Sequence, residues 1–240
     1  MPQNTTIRIA KFLARAGIAS RRKSEALVEA GRVSINGKIV TTPATNIDLE
    51  RDDIRLDGRR VETEPHVYLV LNKPPGYTCS ASDPHAERLV AELYPPGMPR
   101  LFTVGRLDRD SEGLILCTND GDFAQRIAHP RHEIPKEYHV QVEGRVKAAS
   151  LKTLVTQGIE DDGEHLQATR AVILKTVPGG ALLHIILNEG KNREIRRMCE
   201  HFGWRVRRLR RVAIGPLKLD NLPPGQTRPL TPNEHRALIT

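Results

Sequence analysis

Three cysteines in 240 residues, Cys79, Cys117 and Cys199, are too few and too scattered for a disulfide framework. None belongs to a CxxC pair, which also removes a zinc ribbon. Aromatic residues make up only 4% of the chain, so the core must be built from aliphatic side chains. No apolar run approaches the roughly 20 residues of a membrane-spanning helix. The N-terminus MPQNTTIRIAKFL likewise lacks the apolar stretch of a signal sequence. Low-complexity tracts are missing although 28% of residues are charged, so the chain is expected to be globular throughout. These absences point away from a membrane and towards a reducing compartment, read as the cytoplasm.

What is present in excess is positive charge. The formal net charge is +8 and the pI is about 9.7, a balance that suits a polyanionic partner because each neutralised phosphate releases counterions. The excess is concentrated. Between Arg8 and Lys23 there are six basic residues and no acid, and between Glu189 and Arg211 nine basic residues stand against three acids.

Periodicity predicts two short helices in residues 7–31. Ile9, Phe12, Leu13 and Ala16 recur at helical spacing before Gly17. Ser20 is the N-cap of the second helix, Leu27 and Ala30 form its apolar side, and Gly31 ends it. Asn36-Gly37 in VSINGKIV and Asp57-Gly58 in DIRLDGRRVE each predict a tight hairpin. The polar VETEPH segment (61–66) reads as a linker, dividing the chain into domains at 1–62 and 67–240. Beyond it, VYLVLNK, GLILCTND and ALLHIILNEG read as buried strands. In YHVQVEG, Tyr138, Val140 and Val142 share one face. GKNREIRRMCEHFGW is the clearest helix, with Ile195, Met198, Cys199 and Phe202 on one stripe and Gly203 as its stop. The expected fold class is α+β: a helix–helix–hairpin module, then a mostly antiparallel mixed sheet flanked by helices.

The segment IRIAKFLARAGIASRRKSEALVEAGRVSINGKIV resembles the alpha-L RNA-binding domain of ribosomal-protein type. That resemblance implies that Lys11, Arg15, Arg21, Arg22 and Lys23 contact RNA phosphates. LNKPPGYTCS, GRLDRDSEGLILCTNDGDF, KEYHVQVEG and EGKNREIRRMCEHFGWRVRRLRR occur in the order found in ribosomal RNA pseudouridine synthases. The branch it resembles holds the enzymes lettered A (small ribosomal subunit) and B, E and F (large ribosomal subunit), and the chain is closest to the latter three. The resemblance implies isomerisation of uridine to pseudouridine without metal or organic cofactor, on 23S rRNA near the peptidyl transferase centre, by a monomer. A 16S enzyme, which usually has Tyr-His where this chain has Asn192-Arg193, and a non-catalytic ribosome-assembly factor are the alternatives.

The chemistry fits that reading. One C–N bond breaks and one C–C bond forms to the same sugar, so no redox cofactor is required. A carboxylate can assist by attack on sugar or base, or by promoting elimination. It must stay ionised in a pocket largely free of water, which calls for a cation beside it. By resemblance Asp108 is that carboxylate, and Arg106 fills the helix gap or steadies the flipped nucleotide. Tyr138 lies against the base, with core packing as the competing account. Lys191 takes the place of the cation, with Arg193 and Arg196 as alternatives. Arg193, Arg196, Arg197 and Lys73 of NKPPG are also expected on the RNA side, Lys73 in a loop that supports the site. Trp204 either stacks on a base or packs under the helix end. His129 and His132 lack a third metal ligand. Asp108, Asp110 and Glu112 open like a calcium loop whose twelfth residue is Asn119 rather than Glu, so calcium is not expected.

Overall fold

A computed structural model, described for residues 6–80, 83 and 86–240, divides the chain into two compact units. One comprises residues up to Val67 together with Asn119–Gly121, and the other the remainder. The first five residues of the N-terminal segment lie outside the described residues.

In the first unit the two expected helices run Ile9–Arg15 and Arg21–Glu29. The Ser20 hydroxyl accepts from the Lys23 N–H, capping the second helix as expected. Strands Val33–Ile35 and Lys38–Val40 are joined by Asn36-Gly37, and Ile54–Leu56 and Arg59–Arg60 by Asp57-Gly58. All four turn residues have positive φ, the conformation a two-residue hairpin of this hand requires. An additional strand pair, Thr6–Arg8 with Asn46–Asp48, was not foreshadowed by any alternation. Ile9, Phe12, Leu13, Val28, Val33, Ile47 and Ile54 form the core. Val61 is buried with them, so the first residue of the expected linker belongs to the packed module.

The second unit is built on a nine-stranded sheet. Its main path runs Arg170–Val177, Gly180–Leu187, Lys136–Glu143, Arg205–Ile214, Glu112–Thr118, Tyr68–Lys73 and Thr227–Pro229. Phe102–Val104 and Leu217–Lys218 pair off this path. Every pairing is antiparallel except that of Arg205–Ile214 with Glu112–Thr118, which is parallel. Among the described residues four α-helices accompany the sheet: Gly121–Ala128, Ala148–Thr156, Glu194–His201 and Pro232–Ile239. Val70, Leu114, Leu116, Phe123, Ile127 and Ile214 gather in one apolar cluster. The fold is thus mixed α and β around a large, mostly antiparallel sheet.

The parallel pair fixes where the GRLDRDSEG loop enters the sheet. Gly113 lies opposite Arg211, and a Cβ on Gly113 would stand 2.2 Å from the Arg211 carbonyl oxygen. Only glycine lets the two strands approach so closely at that point.

Candidate active site

The loop preceding the Glu112–Thr118 strand is anchored from several sides. Leu107 and Ser111 are buried, whereas Arg106, Arg109 and Asp110 are exposed and Asp108 is half-buried. The Ser111 N–H closes a turn on the Asp108 carbonyl at 3.1 Å, and the Gly76 N–H reaches the Arg109 carbonyl at 2.7 Å. The Leu107 N–H points at the Cys79 sulfur, 3.5 Å away.

Lys73 binds the loop most extensively. Its side chain is fully buried, and its ammonium donates to the carbonyls of Ser111 (2.7 Å), Asp108 (3.1 Å), Pro74 (3.2 Å) and Arg109 (3.3 Å). Burial pulls its pKa below that of an ordinary lysine, while Cys79, Asp110, Asp108 and Glu112 oppose the shift. Lys73 therefore has no surface to offer RNA. The expectation that it contacts RNA is corrected, and its expected support of the site is given a geometry.

The Asp108 side chain turns away from this anchorage towards two guanidinium groups. Its Oδ2 is 3.8 Å from Arg193 Nη1 and 3.9 Å from Arg196 Nε. Arg196 also reaches Asp110 Oδ2 at 3.0 Å. Both arginines come from one place, the start of the Glu194–His201 helix, where Arg193 is the N-cap in a left-handed conformation. Lys191, the expected cation, does not point at Asp108. Its ammonium donates to the His165 carbonyl (2.6 Å) and to Glu189 Oε1 (2.7 Å). A planar fork spans the gap to a carboxylate on the next loop better than a compact ammonium already held by a neighbouring acid.

Arg197, one turn along, is occupied within the protein. It pairs with Asp161 and Glu164 of the Ile159–Asp161/Glu164–Leu166 hairpin and with the Asp161 carbonyl. Its expected RNA contact gives way to a structural tie between hairpin and helix.

Asp108 and Arg193 lie where two hollows meet. The inner one, about 80 Å³, is lined by Arg106, Asp108, Tyr138, Lys191, Glu194 and Leu209 among others. The outer one, about 590 Å³ and open, is lined by Pro75, Gly76, Asp108, Arg109, Asp110 and Arg193. Tyr138 is 8% exposed, so its ring packs in the sheet and also walls the inner hollow. Leu209, buried in an otherwise arginine-rich strand, supplies an apolar wall that sequence reasoning did not single out. Its signal was there: one leucine amid RVRRLRR must face inwards. Trp204 is core, 3% exposed, with its indole N–H donating to the Arg145 carbonyl at 3.2 Å. His129 and His132 flank a short turn at the surface, their rings 6.3 Å apart.

In the first unit Arg21, Arg22 and Lys23 are exposed in a row at the second helix start, and Lys11 and Arg15 are half-buried on the first. The acids nearest in sequence begin only at Glu25, which faces Arg21 at 3.7 Å.

Known proteins resemble the chain in both of its units. The family model described as RNA pseudouridylate synthase matches residues 67–201, and the S4 domain model matches residues 7–54. An uncharacterised RNA pseudouridine synthase of Aquifex aeolicus is 41% identical, over 95% of this chain and 92% of its own length. The ribosomal large subunit pseudouridine synthase B of Bacillus subtilis is 36% identical over 96% and 95%. A crystal structure of a pseudouridylate synthase superposes with a TM-score of 0.70 at 29% identity, covering 97% of this chain and 99% of its own.

Proposed function

Because the chain belongs to the RNA pseudouridylate synthase family, we propose that it converts a specific uridine of 23S rRNA, near the peptidyl transferase centre, to pseudouridine with Asp108 as the reacting carboxylate. The observation that carries this reading is the position of Asp108: on a loop pinned by Lys73, at the mouth of the inner hollow, with two guanidinium groups within 4 Å.

A uridine inside a helix cannot reach such a hollow, so the nucleotide is turned out of the stack. Its base enters between Tyr138 and Leu209, while the flanking strand lies over the open outer basin. Arg106, exposed at the rim, steadies the displaced nucleotide or fills the gap it leaves. Arg193 and Arg196 stand within 4 Å of the Asp108 carboxyl as the base excludes water, and they are set before the reaction rather than recruited during it. Asp108 then assists cleavage of the N1–C1′ bond. The base turns, C5 bonds to C1′, the C5 proton departs and N1 ends protonated. A target in the large ribosomal subunit is supported by the name of the Bacillus subtilis relative. The protein is read as a monomer and as cytoplasmic; its three buried free thiols fit a reducing compartment.

Two measurements test the reading. Chemical mapping of pseudouridine in rRNA from a deletion strain is expected to lose one signal, or neighbouring signals, in 23S rRNA; an unaltered map would overturn it. Asp108→Asn is expected to bind rRNA with near-wild-type affinity and to abolish turnover. An active Asn variant would remove Asp108 from the reaction.

A further inference from the structure

One buried ionisable group has no task in this mechanism. Glu194 opens the Glu194–His201 helix, is 3% exposed, and lines the inner hollow with Asp108 and Tyr138. Its Oε2 accepts the Lys191 N–H at 3.0 Å. Its Oε1 is sealed from solvent and receives no hydrogen bond from any N–H or hydroxyl. The acid that bears on it is Glu189, tied into the same turn of chain because Lys191 holds both: its ammonium lies 2.7 Å from Glu189 Oε1 and its N–H donates to Glu194.

Two carboxylates carry no donor between them, so they can bond only by sharing one proton. Without that proton the buried Glu194 carboxyl would stand charged beside a second negative charge. The charged groups around Glu194 are Glu189 and Lys191 from its own loop, Lys136 from the Lys136–Glu143 strand, and Arg106, Asp108 and Arg193 lining the same hollow. The six residues from Glu189 to Glu194 form the loop that delivers Arg193 to Asp108.

We propose that Glu194 is a positioning residue: with Glu189 it forms a one-proton carboxyl pair that closes the 189–194 loop and sets Arg193 opposite Asp108. The inference rests on Asp108 being the reacting carboxylate. Burial, with the negative Glu189 adding to it, holds Glu194 up to about 7. An acid raised in the folded state contributes fully below its unfolded value and loses that contribution as pH rises through the folded one. The pair is therefore intact in mildly acidic solution and opens above about pH 7, when the loop carries two negative carboxyls against the single Lys191 ammonium.

The test follows turnover and binding of rRNA transcript by the full-length wild type, Glu194→Gln and Glu194→Ala between pH 5.5 and 9. Wild-type kcat is expected to fall above about pH 7 while KM changes little. The Gln amide donates to Glu189 and accepts from the Lys191 N–H at every pH, so it recovers turnover and abolishes the alkaline fall. The Ala variant is expected to lose at least tenfold in kcat across the range. An alkaline limb unchanged in Glu194→Gln, or wild-type kcat in Glu194→Ala, overturns the proposal. Carbon-13 NMR titration of the glutamate carboxyls reads the pair without reference to activity. One midpoint near 7, lost in Glu194→Gln, is expected, and an ordinary midpoint for Glu194 overturns it. Wild-type protein that forms no pseudouridine would instead strike the proposed function, leaving the carboxyl pair to the titration.

Discussion

At Lys73 the chain places an ammonium with no exposed surface among four carbonyl oxygens. Burying a charge costs several kcal/mol unless hydrogen bonds replace its water. The replacement comes from the backbone of the Asp108 loop, so the charge and the loop geometry depend on one another. Lys73→Met keeps the volume but leaves inward carbonyls without a donor. It is expected to cost about 3 kcal/mol of stability in denaturant unfolding. At a temperature where the variant stays folded, kcat should drop more than RNA affinity, because the loop backbone loosens while the phosphate-binding surface remains. Equal stability of the variant and the parent would contradict this account. The motif NKPPG made Lys73 noticeable in sequence, but its inward direction was not legible. A lysine reads as a surface residue until the fold surrounds it.

At the scale of elements, the site depends on two strands meeting in parallel within an otherwise antiparallel sheet. Gly113 permits the contact, with φ of +105° and no room for a side chain. Gly113→Ala must both strain the backbone and push Arg211 away. A loss of about 2 kcal/mol or more is expected, a drop of roughly 4–8 °C in Tm by calorimetry. A variant melting with the parent would show that the strands have slack. The helix that bears Arg193 and Arg196 is steadied from its other side, where Arg197 ties it to Asp161 and Glu164. Its i, i+3, i+4 stripe made the helix plain in sequence: Ile195, Met198 and Cys199 are all buried. Which of its arginines faces Asp108 was not plain, because charged residues on every remaining face look alike until a partner is placed. Spacing singled out neither Asp161 nor Glu164, more than 30 residues before Arg197.

For the whole molecule, one chain joins an S4 domain to a pseudouridine synthase domain, and the two have different work. The exposed Arg21, Arg22 and Lys23, with Lys11 and Arg15, suit phosphates, which add affinity without selecting a base. Replacing all five by Gln in the full-length protein is expected to weaken rRNA binding and flatten its dependence on salt. At about 0.7 per lost contact, the log–log slope should fall by roughly 3.5. Turnover of saturating RNA should persist. An unchanged slope would mean that these residues do not meet phosphate.

Local chemistry alone determined much of this protein. Asn36-Gly37 and Asp57-Gly58 specify hairpins because few other dipeptides tolerate two positive φ angles in succession. Ser20 specifies a helix start, and period-2 and period-3.6 patterns specify strands and the Arg196 helix. Each of these is written within a dozen neighbouring residues. The partner of Asp108 was decided by tertiary structure, as were the inward turn of Lys73, the occupation of Arg197 and Lys191, and the pairing of Glu194 with Glu189. Those depend on which distant backbone or side chain arrives opposite a charge, and an ion pair leaves no periodic trace in the sequence that contains it.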